Sequence, residues 1–267
     1  MRPPLNDPRL EVFADWNDKV KQELSLLFQR IIEGRTSARP MVARALNELS
    51  VVTADWANRT LSEVALEADQ EAASALDSTR EVYYEHLLNS VKMEIVDRLS
   101  RARVSVMSLA NQISRHPVLI QRTSYDLTDV PVRIIGASGR TNTYTLDYYS
   151  IMVAHTAMGR LRSAVTLHRA ASEGHPFVQI TDEHSEDGSY CTAYRGRVFE
   201  ILGNKNIYPN LNRTPSGGPP FHPWCNHTLR VYIPSEDIPS EMDERFLLAP
   251  GETNHYGIAK RWKEHNG

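Results

Sequence analysis

Four side chains able to bind a soft or borderline metal ion fall in the last third of this 267-residue chain: Cys191, His222, Cys225 and His227. The last three form the short element His222-Pro223-Trp224-Cys225-Asn226-His227, an H-x2-C-x-H pattern, and Cys191 arrives from an earlier connection. Zinc takes four such ligands in a tetrahedron, and two cysteines with two histidines make a closed set suited to a structural site. His184, within Asp182-Glu183-His184-Ser185, is an alternate ligand. The plainer alternative is that Cys191 and Cys225 pack as small hydrophobes. Tyr194 stands where a C-x2-C pair starting at Cys191 would need its second cysteine. A Cys191–Cys225 disulfide is disfavoured in a reducing cytosol.

These residues need a scaffold, and the chain supplies one in two styles. Up to residue 116 the apolar positions recur at steps of three and four. One stripe runs Trp16, Val20, Leu24, Leu27, Ile31 and ends near Gly34, a helix-terminating residue. A second runs from Val42 through Leu46, Trp56, Leu61, Val64 and Ala68 to Leu76, and a third from Tyr84 through Val91, Ile95 and Leu99 to Ile113. Ser78 with Glu81 has the form of a capping box opening that third helix, and His116-Pro117 closes it. Helices of this length, roughly 50 Å each, predict an elongated N-terminal bundle or arm over residues 1–116.

From residue 117 the pattern shifts to short β-prone pieces such as Val130–Ile135. A helix follows from Thr145-Leu146-Asp147 to Gly174, with Tyr149, Val153, Ala157, Leu161 and Leu167 on one side. Three strands are expected at Phe177–Ile180, Val198–Leu202 and Thr228–Ile233. The expected fold class is therefore α+β: a helical arm, then a small α+β module over 117–234 with a short sheet and a Cys/His knuckle. The stretch 235–267 reads as a polar tail that wraps a neighbour or frays.

Composition narrows the function. Hydrophobic residues make up 41% and charged residues 24% of the chain, ordinary values for a packed protein, and the formal net charge of −3 argues against a nucleic-acid condenser. The sequence has no apolar run of membrane-spanning length and no apolar signal-peptide core near its start, so residence in a cytosol is the expectation. Arginines gather at Arg98, Arg101, Arg103, Arg115, Arg122, Arg133 and Arg140. They read either as a solvated face or as a contact for DNA phosphate or an acidic protein surface. Arg160, Arg162, His168 and Arg169 carry the same ambiguity. Gly136-Ala137-Ser138-Gly139-Arg140 lacks P-loop spacing and reads as a turn. Trp16 and Trp56 read as core, and Trp224 as a packing anchor for the knuckle.

The order of elements carries a resemblance. Ile180-Thr181-Asp182-Glu183-His184, then Cys191, Arg195-Gly196-Arg197-Val198-Phe199, Tyr208-Pro209, and Pro219-Pro220-Phe221-His222-Pro223-Trp224-Cys225-Asn226-His227-Thr228-Leu229 together resemble the C-terminal module of tailed-phage minor head proteins, the Mu-F-like head-morphogenesis family. The resemblance spans residues from about 140 to 233. Where that family commonly carries an Arg-Thr-Glu-like triplet in its helix, this chain has Ala154-His155-Thr156-Ala157. The resemblance implies a non-enzymatic structural component of the virion head, assembled in the host cytoplasm. Its implied partners are the portal protein, the major capsid protein and packaged DNA, with no membrane. Two other readings stay open: a metal-dependent hydrolase of HNH-nuclease type using His222 or His227, and a DNA-binding module using the arginine cluster.

Overall fold

The computed structural model describes residues 7–33, 39–115, 131–135, 140–181, 189–202, 207–234, 242–249, 252 and 256–266. Gly34, His116-Pro117, Arg122, Gly136 through Gly139 and His184 lie outside the described residues. The fold is mixed α+β, with long helices first and two small sheets after them. Three helices open the chain: α1 (Glu11–Ile32), α2 (Arg39–Ala75) and α3 (Glu85–Arg115). Strands β1 (Pro131–Ile135) and β2 (Thr141–Thr145) pair as an antiparallel hairpin with Val132 opposite Tyr144. Helix α4 (Leu146–Ser172) follows directly, and Gly174 at φ +69 closes it, with the His175 amide donating to the Ala170 carbonyl. Strands β3 (Phe177–Ile180), β4 (Val198–Glu200) and β5 (Leu229–Val231) form an antiparallel sheet in the order β4-β3-β5. Helix α5 (Tyr256–Asn266) ends the described chain. Among the described residues no helix is long and apolar enough to cross a membrane.

The chain divides into two compact units, residues 1–60 with 92–155, and residues 61–91 with 156–267. In the first, Phe13, Leu46, Ile95 and Ile151 are buried, and Trp56 packs edge-on to Phe13 while its indole N–H donates to the Arg9 carbonyl at 2.7 Å. Trp56 is thus core, as its place on the apolar stripe predicts. The second unit holds the sheet and a continuous apolar cluster that includes Ala72, Val178, Tyr194, Phe199, Phe221 and Leu229.

Two expectations are corrected in this second unit. Residues 78–84 are not helical, so Ser78 and Glu81 do not cap α3. Asp77 turns into the left-handed region at φ 49 and the Ser78 amide donates back to the Ala73 carbonyl, which ends α2, while the Ser78 hydroxyl donates to Glu173. The described residues after Pro234 do not form a fraying tail: Phe246, Leu247 and Ile258 are buried in the cluster, and Trp262 packs against it. The polar residues around them hid four apolar anchors at irregular spacing.

Candidate metal centre

Cys191 sits in a short 3-10 turn, Tyr190–Tyr194, between β3 and β4. The turn is clamped from both sides. Tyr190 donates its hydroxyl to the Phe221 carbonyl at 2.6 Å, and Tyr194 donates to the Phe246 carbonyl while its ring lies 4.5 Å from that of Phe221. Tyr194 is wholly buried. The position that a second cysteine would take is therefore a packing and hydrogen-bonding post joining three segments.

The opposite wall is the knuckle itself. The Cys225 amide donates to the His222 carbonyl at 3.2 Å, closing a four-residue turn with Pro223 second and Trp224, at φ 65, third. That is the arrangement of a type II turn, whose third place normally takes glycine. A large side chain there is a backbone outlier, of the kind that persists where surrounding structure holds it. The turn sets His222 and Cys225 side by side and feeds His227 and Thr228 into β5, where Thr181 and Thr228 exchange hydrogen bonds that fix the register.

Cys191, His222 and Cys225 offer ligand atoms that all lie within 4.8 Å of one another, and this group could hold a metal ion. The Nε2 of His222 is 3.1 Å from the Cys191 sulfur and 3.0 Å from the Ser189 hydroxyl. Its Nδ1 is 2.7 Å from the Pro223 carbonyl, which can only accept, so Nδ1 carries a proton and the ring is held with Nε2 toward Cys191. His227 is fully buried with Nδ1 3.5 Å from the Cys225 sulfur, and its Nε2 has no hydrogen-bond partner among the described residues. Tetrahedral zinc with bonds of roughly 2.0–2.3 Å spaces its ligand atoms about 3.3–3.8 Å apart, close to the 3.1 Å between His222 and Cys191 and the 3.5 Å between Cys225 and His227, although His227 is not one of the three that converge within 4.8 Å.

The two sulfurs also divide one charge between them. A hydrogen bond with Cys225 holds the Cys191 thiol well below the ordinary range against the pull of burial, and His222 and His227 add to the effect. Cys225 is pushed up by its bond to Cys191 and by burial. Two sulfurs, one of which gives up its proton more readily than the other, beside two imidazoles make a pocket suited to a cation.

Comparison with known proteins assigns nothing further. No family model, no curated protein and no solved structure matches the chain.

Of the expected ligands, then, three converge, His227 flanks them, and His184 is outside the described residues. Ser189 and the Pro223 carbonyl, which orient His222, carry no sequence signal, because the first acts across thirty-three residues and the second is backbone. The arginines are partly absorbed. Arg98 pairs with Glu94 at 2.7 Å, Arg101 with Asp97 at 2.6 Å, and Arg103 donates to Asn47. Arg133 and Arg140 are exposed. On α4 the open choice between solvated face and phosphate contact fails for two residues. Arg169, whose side chain is 4% exposed, pairs with Asp69 at 2.8 Å and Glu173 at 3.4 Å, and Arg162 pairs with Glu71.

Proposed function

We propose that this chain is a structural minor head protein of a tailed phage, associated with the portal or the inner head wall, in which a zinc ion locks the C-terminal module. The supporting observation is the meeting of Cys191, His222 and Cys225 in the order of elements on which the family resemblance rests. Zinc is the metal that two thiolates and imidazoles favour, and His227 is the fourth ligand in this reading.

The burial of the centre favours a structural role over a hydrolytic one. Cys191 and His227 are fully buried and Cys225 is 1% exposed, while His222 is half-buried, a setting better suited to a closed site than to one that admits a phosphodiester. The mechanism is positional. The metal ties the Cys191 turn to the knuckle and β5, and the long helices present surface to the portal and the major capsid protein. DNA contact in this reading falls to exposed arginines such as Arg133 and Arg140, since Arg98 and Arg101 have carboxylate partners one helical turn away.

The test is mass spectrometry of purified particles and portal complexes from one lysate, with metal analysis of the purified protein. Recovery at a fixed ratio to the portal protein, with one zinc per chain, is the expected result. Absence from particles, with chelator-sensitive nuclease activity in the host fraction, would overturn it.

A further inference from the structure

A second feature of the same unit stands apart from the metal centre. One face of α4, carrying Arg160, Ser163 and Leu167, lies across a cavity of about 430 Å³ from the loop Ser216–Pro220 and from Leu229 of β5. That volume falls within the span of small-molecule sites, about 300–1,000 Å³. The loop makes a preset rim. Ser216, Gly217 and Gly218 take successive positive φ values of 59, 70 and 128, and two prolines follow. The amides of Gly217 and Gly218 are already spent on the carbonyls of Thr214 and Pro215, and prolines have none. The rim's remaining polar residue, Ser216, is exposed, so the buried polar side chain that lines the cavity is on the helix side.

There Ser163 is 3% exposed and its hydroxyl has no hydrogen-bond partner among the described residues. Other hydroxyls of α4 behave differently: Ser150, Thr166 and Ser172 each donate to a carbonyl three or four residues earlier. A buried hydroxyl left unpaired costs free energy that a ligand oxygen would recover. Arg160 is one turn away on the same face, and none of the described residues lining the cavity is acidic. Leu167, Leu229, Pro219 and Pro220 give the rest of the wall an apolar character.

We propose that this cavity binds a small organic acid, its carboxylate or phosphate head on Arg160 and Ser163 and its apolar body against Leu167 and the two prolines. This inference does not depend on the head-protein reading.

The test is amide NMR of the full-length protein titrated with benzoate, its neutral isostere benzamide, and inorganic phosphate. Saturable shifts at Ser163, Gly217 and Gly218 with benzoate, about tenfold weaker with benzamide, are expected. Ser163→Ala should weaken benzoate while keeping the native spectrum, and Arg160→Gln should erase the preference for benzoate over benzamide. Phosphate outcompeting benzoate at the same amides would support the site and assign a phosphate head. Equal response to benzoate and benzamide, or no saturable shift at these amides with benzoate or phosphate, would overturn the proposal.

Discussion

The sulfur of Cys191 and Nε2 of His222 lie 3.1 Å apart although thirty-one residues separate them in the chain. An approach so close between a buried thiol and an oriented imidazole gives the module its most testable property. Purified protein should carry close to one zinc per chain. Cys191→Ser or Cys225→Ser should remove it and lower the thermal midpoint of the second unit, as chelator should in the native protein. His184→Ala should keep the metal. Metal content by plasma spectrometry beside a melting curve decides the matter.

Proton release should accompany loading. With Cys191 depressed and Cys225 raised, the Cys225 side of the metal-free centre keeps its proton to higher pH than the Cys191 side. An incoming dication makes both sulfurs thiolates and expels that proton. Apparent zinc affinity should therefore rise about tenfold per pH unit across the neutral range, and fall as the solution is acidified. Titrations in buffers of different ionisation enthalpy would count the proton; a pH-independent affinity would contradict this account.

Trp224 offers a backbone test. Its φ of 65 is one that β-branched residues tolerate worst and glycine best. Trp224→Gly should relieve about 1 kcal/mol of backbone strain, lose the indole's packing, and hold zinc within a few-fold of the native affinity. Trp224→Val should weaken zinc more than Trp224→Gly, measured by competition with a chromophoric chelator. The reverse order would mean the side chain matters more than the turn.

Arg169 tests the ion network. Removing it by Arg169→Met leaves Asp69 and Glu173 without their shared cation, and also deletes a hydrogen bond to the Arg80 carbonyl. Loss of one member of a buried pair costs about 3 kcal/mol or more, which urea denaturation would read. A double-mutant cycle with Asp69→Asn should recover part of that loss.

The long helices were legible because their stripes are regular: Leu46, Trp56, Leu61, Val64, Ala68 and Ala72 all lie buried on α2. The hairpin was half hidden, since Thr141–Thr145 is mostly exposed and carries little apolar pattern. Ser78 misled because a capping box is a local signal, and here the hydroxyl found Glu173, ninety-five residues away. In the centre, His222 and Cys225 were legible from their spacing, whereas the clamp by Tyr190 and Tyr194 exists only once the segments have met. The carboxylates that pair with Arg98 and Arg101, Glu94 and Asp97, lie one helical turn ahead of them, and this i to i+4 register separates part of the cluster from a phosphate contact.

The knuckle and the Cys191 turn close a loop that contains β4 and the whole glycine- and proline-rich connection. An ion joining its two ends acts on the unfolded chain as a cross-link does. By the chain-entropy relation for a loop of this length, the constraint is worth about 3–4 kcal/mol. Unlike a disulfide, such a cross-link forms under reducing conditions and can be withdrawn by a competing chelator. The irregular connection, which has few ladder bonds of its own, would then owe its order to the availability of one ion at the moment the chain folds.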